Sequence, residues 1–305
     1  MDVTQASIND YKLIIDFIKK RWSKNHILTK NKKLFYYFYV RKYKINFLIL
    51  KNKNKIVSLL GYIINHYKNG YYTWLALWVS NYNNPFSGVR LLKELEVKFQ
   101  NKILVLGLSE YAKQILKQLN YKIETMNHYY FINEKIKKFK IIKNPMNNKK
   151  KKSKNNQIFF DEIKKRHLHK FRKIICSRNY RNFEDFKFKY IDNKFYKYKY
   201  YLINNDKRNL LLVTRTILVK KNSKKIIRVI DAFGSYNLFS YASNLFRYLL
   251  KNLEVEYIDL LNFGIPSKIF TNCGMNKINY NKTIVPNFFE PFIKKNKAIY
   301  FVFFC

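Results

Sequence analysis

The chain has 305 residues, a length typical of two domains. Its hydrophobic content of 48% supplies packed cores, and no apolar run reaches the ~18 residues that a membrane-spanning helix needs. The first residues lack the basic and apolar segments of a signal peptide, and the three cysteines are too widely spaced to favour a disulfide framework or a zinc site. We therefore expect a cytoplasmic protein without a metal.

The charge balance is strongly basic, with 61 Lys and Arg residues against 19 Asp and Glu residues and a net charge of +42. The excess is spread along the chain, and lysine far outnumbers arginine, which is typical of a protein from a very AT-rich genome. We therefore do not predict nucleic acid as the main partner, and we expect at most weak contact with an anionic membrane surface. A binder driven by charge stays open as an alternative.

The N-terminal residues predict an amphipathic helix over Ser7–Trp22, with apolar side chains spaced three and four residues apart. A polar break follows, which contains His26, a residue that can transfer a proton near neutral pH or simply cap a helix. A hairpin is predicted next, formed by the strands Phe47–Leu50 and Ile56–Ile64.

The stretch Leu75–Tyr121 predicts the order strand, loop, helix, strand, helix, in which Ser87 caps the first helix and Ser109 caps the second. The same order recurs between Ile226 and Cys273, where the loop Gly234–Asn237 joins the first strand to the first helix. An internal repeat of this size predicts two similar lobes.

Residues 134–157 are rich in Lys and Asn, and we interpret them as a solvated linker. The predicted domains are therefore an N-terminal lobe over 1–133 and a C-terminal lobe over 158–305.

A hairpin followed by strand, loop, helix, strand, helix and strand resembles the fold of the GCN5-related N-acetyltransferases. Five stretches taken in order resemble, more narrowly, tandem members encoded with bacterial surface-polysaccharide genes: Trp22–Leu28, Leu75–Ser80 with Gly88, His128-Tyr129, Arg228–Gly234 and Val285–Phe292. The resemblance implies an α/β (α+β) protein of two lobes, each with a mixed, mostly antiparallel sheet flanked by helices.

The resemblance also implies acetyl-CoA or another acyl-CoA as the co-substrate. Its pyrophosphate would bind at the start of a helix, at Ser87, Gly88, Val89 and Arg90, although only Gly88 matches the family pattern. Leu116 occupies the position at which the family often has a tyrosine that protonates the leaving thiolate. Either lobe, or both, can have lost CoA binding.

A general base must take a proton from the attacking amine, and the candidates are Asp231, Glu290 and His26. Asp231 ends an apolar strand, where burial would raise its pKa, although it can also cap the loop. Glu290 can instead form an ion pair with lysine. Residues expected to contact the substrate are Trp22, His128, Phe288 and Phe289.

The predicted function is transfer of an acyl group, in particular acetyl, from CoA to an amino sugar or sugar nucleotide in surface-polysaccharide synthesis. One alternative is a catalytically degenerate pair of lobes that acts as a binding or scaffold protein in the same pathway. The other is the charge-driven binder, whose affinity would fall steeply with salt.

Overall fold

The computed structural model describes residues 2–67, 70–81, 83–84, 86–100, 103–149, 159–177, 182–205, 207–219, 223–289, 292–296 and 298–303. The chain forms two compact units. The N-terminal unit consists of Met1–Glu124 with Ile299–Cys305, and the C-terminal unit consists of Thr125–Ala298.

The strands of both units, in chain order, are β1 (Val3–Ser7), β2 (Val40–Arg41), β3 (Lys44–Asn52), β4 (Lys55–Tyr67), β5 (Gly70–Ser80), β6 (Ile103–Leu106), β7 (Lys122–Thr125), β8 (Asn127–Ile132), β9 (Phe159–Ile163), β10 (Tyr198–Asn205), β11 (Arg208–Val219), β12 (Lys224–Gly234), β13 (Val255–Asn262), β14 (Asn276–Lys277), β15 (Phe288–Phe289), β16 (Phe292–Ile293) and β17 (Tyr300–Phe303).

The α-helices are α1 (Tyr11–Arg21), α2 (Ile27–Lys30), α3 (Lys32–Tyr39), α4 (Ser87–Phe99), α5 (Glu110–Gln118), α6 (Arg172–Ile175), α7 (Phe183–Phe186), α8 (Ser243–Leu253) and α9 (Ser267–Asn272). Among the described residues, 3₁₀ turns span Ile8–Asp10, Lys165–Phe171 and Tyr236–Tyr241, and a π-helical turn spans Lys187–Ile191. Among the described residues, no helix is long and apolar enough to cross a membrane.

The sheet of the N-terminal unit has the order β1-β3-β4-β5-β6-β17-β7, with β2 paired to β3. Its strands pair antiparallel from β1 to β5, and β5 and β6 run parallel. The first helix predicted within Leu75–Tyr121 is confirmed as α4, whose apolar residues Leu92, Leu95 and Phe99 are buried in the core on this sheet. The helix predicted over Ser7–Trp22 is present as the 3₁₀ turn Ile8–Asp10, which has Ser7 at its cap position and runs directly into α1, while Val3–Ser7 pairs with β3 as a strand.

The sheet of the C-terminal unit has the order β14-β8-β13-β12-β11-β10-β9. One face is covered by α8 and α9, whose apolar side chains pack with Leu210 and Leu212 of β11. Successive side chains of a strand point to opposite faces. The alternate residues Leu211 and Val213 therefore lie on the other face, where they pack with α6 and α7.

Residues 134–149, which the sequence predicts to be a solvated linker, instead pack within the C-terminal unit. Ile141 and Ile142 are buried, and the carboxylate of Glu256 accepts hydrogen bonds from the backbone N–H groups of Lys140 and Ile141, each at 2.8 Å. The high lysine content of this segment suggests a solvated linker, but two of its side chains are apolar and buried. Its backbone is also held by a carboxylate. The remainder of the predicted linker, residues 150–157, lies outside the described residues.

The ends of the two units also differ from the predicted domain limits. Strand β8 lies within the predicted N-terminal lobe of residues 1–133, yet it pairs antiparallel with β13 in the C-terminal unit. Strand β17 lies within the predicted C-terminal lobe of residues 158–305, yet it pairs antiparallel with β6 in the N-terminal unit. The two sheets thus each contain a parallel pair followed by an antiparallel strand from a distant part of the sequence.

Candidate functional site

Two parallel strands separate at their C-terminal ends in the C-terminal unit. Strands β12 and β13 pair from Lys225 opposite Val255 to Val229 opposite Leu260, and the described residues continue this pairing no further. A bulge at the same height, where Val213 pairs with Asp231 and Thr214 with Val229, increases the local twist of β12. The sheet therefore opens between the ends of these strands, and the bulge turns the side chain of Asp231 toward the face that α6 and α7 cover.

A cavity of about 370 Å³ lies at this opening. Its walls are the loop after β12 and the loop that leads from β13 into α9: Gly234, Ser235, Tyr236, Asn237, Gly264, Ile265, Pro266 and Ile269. Gly234 has a φ of +102°, and a Cβ atom there would stand 2.3 Å from the carbonyl oxygen of Asn209. Only glycine allows the chain to leave the sheet at this point, so the shape of the cavity depends on this residue.

Asp231 stands three residues before the first lining residue of the cavity. Its Oδ2 atom accepts a hydrogen bond of 2.8 Å from the hydroxyl of Tyr190, and its Oδ1 atom accepts one of 2.9 Å from the N–H of Ala232. The carboxylate is half-buried, whereas Tyr190 is buried on the π-helical turn. A carboxylate held in this way is oriented for accepting a proton. Its catalytic role stays a prediction, and the sequence reasoning missed Tyr190.

A second polar cluster lies on the sheet face to which Asp231 points, and it joins strands β8, β12 and β13. The Nε atom of Arg228 donates to Oδ1 of Asp259 at 2.9 Å, and Nε2 of His128 lies 2.9 Å from Oδ2 of the same carboxylate. Burial raises the pKa of Asp259, but the charge and hydrogen bonds of Arg228 and the bond to His128 outweigh it, so the pKa falls below its usual value. The cluster therefore holds an ionised Asp259 in the core.

His128 and Phe289, both predicted to contact substrate, come together around Arg228. His128 is almost fully buried, and the ring of Phe289 lies 5.1 Å from the guanidinium carbon of Arg228. Arg228 also donates to the carbonyl oxygen of Asn287 at 3.0 Å. These contacts give His128 a structural partner, and they hold the Val285–Phe289 segment against the sheet.

The residues predicted to bind the cofactor form the first turn of α4 in the N-terminal unit. Ser87 does not cap the helix as predicted, because its hydroxyl donates to the carbonyl oxygen of Asn84 at 2.6 Å and Phe86 occupies the cap position. A Cβ atom at Gly88 would meet the indole nitrogen of Trp78 at 2.8 Å, so helix packing accounts for this glycine. Val89 is half-buried and Arg90 is exposed. Phosphate binding by these four residues stays a prediction.

His26 and Trp22 also lie together in the N-terminal unit, with their ring centroids 6.4 Å apart. The Nδ1 atom of His26 accepts a hydrogen bond of 3.3 Å from the N–H of Leu28 and caps α2. Burial lowers the pKa of His26, which favours the neutral form that this bond requires. Trp22 is half exposed. His26 and Asp231 thus belong to different units.

The remaining residues predicted to act in substrate binding or catalysis, Phe288 and Glu290, follow Asn287 in the chain. The backbone of Phe288 pairs with Ile293 in a two-stranded ribbon. Glu290 lies outside the described residues. In the part of the chain that the structure describes, no three His, Cys, Asp or Glu side chains are grouped closely enough to hold a metal ion.

Comparison with protein-family models gives no match, and no curated protein matches by sequence. Solved structures do match. A GCN5-related N-acetyltransferase from Anabaena variabilis superposes with a TM-score of 0.59 at 7% identity, over 98% of this chain and 72% of that chain. A GCN5-related N-acetyltransferase from Kribbella flavida gives a TM-score of 0.57 at 7% identity, over 98% of this chain and 70% of that chain. The N-myristoyltransferase of Saccharomyces cerevisiae, solved with bound myristoyl-CoA, gives 0.50 at 10% identity, over 99% and 78%.

Identities this low establish the fold and nothing finer. Because the likeness extends over nearly the whole chain and agrees with two mostly antiparallel sheets flanked by helices, the protein has a fold like that of the GCN5-related N-acetyltransferases.

Proposed function

We propose that the protein is an acyl-CoA-dependent N-acyltransferase whose C-terminal unit binds the acyl-CoA at the cavity between the ends of β12 and β13. The observation that carries this proposal is the position of Asp231. This carboxylate stands on β12 beside the opening of the sheet, three residues before Gly234, and Tyr190 holds it. A proton acceptor and a cavity open to a ligand thus lie at the same strand end, the carboxylate on the face that α6 and α7 cover and the cavity beside α9.

The likeness to known structures supports the cofactor. The Saccharomyces cerevisiae N-myristoyltransferase was solved with myristoyl-CoA bound, so in that protein a related fold holds a CoA thioester. The sequence resemblance implies the start of α4 as the CoA site. We favour the C-terminal unit instead, because its strand ends border a cavity and because packing against Trp78 already accounts for Gly88.

The proposed chemistry joins an amine to the acyl carbonyl. The amine nitrogen attacks the thioester carbon, the bond to sulfur breaks, and CoA leaves as its thiolate. Asp231 takes the proton that the amine loses, and Tyr190 keeps the Oδ2 atom of this carboxylate in place. The half-buried position of Asp231 leaves it a solvent-facing side from which an acceptor can approach.

The acceptor that we propose is an amino sugar or a sugar nucleotide used in surface-polysaccharide synthesis. The five stretches that resemble tandem members of the family support this choice. An amino sugar offers a primary amine as nucleophile, which matches the proposed role of Asp231.

The N-terminal unit, in contrast to the C-terminal unit, has a feature that argues against catalysis. Leu116, at the position where the family often has a tyrosine, is fully buried in the core of that unit. This burial supports the view that the N-terminal unit is catalytically degenerate, and that it binds or supports rather than transfers.

A transfer assay tests the proposal. Free thiol is measured after the full-length protein is mixed with acetyl-CoA and a panel of amino-sugar nucleotides. We expect Asp231→Asn to lower kcat by about 10²–10⁴-fold while acetyl-CoA affinity is kept, since the loss of a general base has this magnitude. Asp192→Asn, at an exposed carboxylate of the same unit, is the matched control. Equal activity in Asp231→Asn and the parent protein would contradict the assignment.

A further inference from the structure

The segment Lys164–Lys173 of the C-terminal unit concentrates positive charge. Six of its ten residues are Lys or Arg, against 61 of 305 in the whole chain. We call these six side chains the cationic run: Lys164, Lys165, Arg166, Lys170, Arg172 and Lys173. This local density is three times the average, so the lysine bias of the whole chain does not explain it.

The fold holds the cationic run in place with its charges outward. Leu168 and Ile175 are buried in the core beneath the 3₁₀ turn and α6, whereas the six charged side chains are exposed. Among the described residues, none of the six has a carboxylate within ion-pair distance, although Lys199 and Glu162 form such a pair nearby at 3.1 Å. Desolvation and the charges of Arg166, Lys170, Lys164 and His169 lower the pKa of His167, as expected where cations crowd together.

The cationic run borders the proposed active site. Ile174, the next residue after the run, approaches Gly234 so closely that its Cγ2 atom would stand 2.8 Å from a Cβ atom there. Leu168 and Ile175 share a core cluster with Tyr190, the partner of Asp231. The run therefore lies on the Asp231 side of the sheet, whereas α8 and α9 cover the other side.

We propose that the cationic run binds the phosphate groups of a diphosphate-bearing acceptor and thereby brings the amine of that acceptor to Asp231. This inference rests on the proposed function, because it assigns the acceptor to the Asp231 side of the sheet. Exposed lysine and arginine side chains without carboxylate partners suit a diphosphate, whose oxygens accept several charge-assisted hydrogen bonds. An amino sugar without phosphates offers no anionic group to these six cations.

Calorimetry with UDP as the probe tests the proposal on the full-length protein, with uridine as the ligand that lacks phosphates. The test variant is Lys165→Gln/Arg166→Gln/Lys170→Gln. The matched control is Lys225→Gln/Lys251→Gln/Lys282→Gln, which removes the same charge from exposed positions elsewhere in the unit. Acetyl-CoA is titrated separately into each protein, and thermal midpoints confirm that all three fold.

We expect UDP to bind the parent and the control variant and to bind the test variant about tenfold more weakly, with uridine bound by none of them. Acetyl-CoA affinity should be equal in all three. The inference would be overturned if the test variant bound UDP as tightly as the parent does. It would also be overturned if the parent bound UDP no more tightly than inorganic phosphate, or bound a single-stranded RNA more tightly than UDP. Loss of acetyl-CoA affinity in the test variant would also overturn it, because the run would then serve the cofactor. A parent protein that binds UDP through the run but never binds acetyl-CoA would refute the proposed function instead.

Discussion

Asp259 is a fully buried carboxylate that joins Arg228 and His128 in the C-terminal unit. A buried charge is tolerated only while its partners remain, because their attraction offsets the cost of removing it from water. The pair is therefore expected to matter for folding whether or not it touches a ligand.

Replacement of Arg228 by methionine should destabilise the protein by about 3–5 kcal/mol, because it leaves a buried carboxylate without its cation. Denaturant unfolding at pH 7 measures the change. Arg208→Met, at an exposed position of the β10–β11 hairpin, should alter stability by less than about 0.5 kcal/mol. Similar losses of unfolding free energy in both variants would show that the Arg228–Asp259 ion pair contributes no more to stability than an exposed arginine does.

The same pair predicts a pH dependence. The folded-state pKa of Asp259 lies below its unfolded value, so the unfolded chain binds the proton first as the pH falls. The stabilisation from ionised Asp259 is thus complete above the ordinary aspartate range, near pH 4, and is lost as the pH falls further through the folded pKa. The stability difference between the parent and Arg228→Met should therefore shrink from pH 7 to pH 3. A difference that stays constant would contradict this sign.

Individual residues differ in how far the sequence reveals them. Asp231 is recognisable because it ends an apolar strand just before a glycine. Tyr190 is not, because it contacts Asp231 from 41 residues away and stands in a stretch of Lys, Phe and Tyr without clear periodicity. His128 is predicted to contact substrate, yet its carboxylate partner is 131 residues away, and sequence spacing gives no sign of such a partner.

At the scale of elements, the turn that closes β12 depends on Gly234. We expect Gly234→Ala to destabilise the protein more strongly than Gly264→Ala. Both glycines have positive φ, but only Gly234 lacks space for a Cβ atom, whereas at Gly264 nothing lies within 4 Å. The alanine at Gly264 should cost about 1 kcal/mol, the strain of the left-handed conformation alone. Thermal unfolding of the two variants measures the difference, and equal costs would refute the role of the close contact.

The docked segment 134–149 provides a second test at this scale. Glu256→Gln removes the negative charge that two backbone N–H groups share, and charge-assisted bonds of this kind are worth about 1.5–3 kcal/mol. Trypsin should then cleave after Lys140 and Lys143 faster than in the parent. Glu254→Gln, two residues earlier and exposed, should leave cleavage unchanged. Equal cleavage in all three proteins would mean that Glu256 does not hold the segment.

Some elements can be predicted from local sequence patterns alone, and others cannot. Helix α4 follows from apolar residues spaced three and four apart, whereas β1 has five residues with little alternation and forms only by pairing with β3. The segment 134–149 is misjudged from composition, because its docking depends on a carboxylate more than a hundred residues away.

At the scale of the whole molecule, the order of strands and helices predicts the fold class, which the structure confirms. The assignment of β8 and β17 to their sheets does not follow from the sequence. Each pairs with a strand far away in the chain. The alternation of apolar and polar residues that predicts a strand does not indicate which strand it pairs with.

Calorimetric titration of acetyl-CoA into the full-length protein, at low and at moderate salt, tests the central proposal most directly. The same titration is made with Ile269→Trp, which fills the cavity, and with Leu218→Trp, a control at an exposed position of β11. We expect one-to-one binding that survives moderate salt in the parent and in Leu218→Trp and is lost in Ile269→Trp. Binding that disappears with salt, or that persists unchanged when the cavity is filled, would contradict an acyl-CoA site in the C-terminal unit.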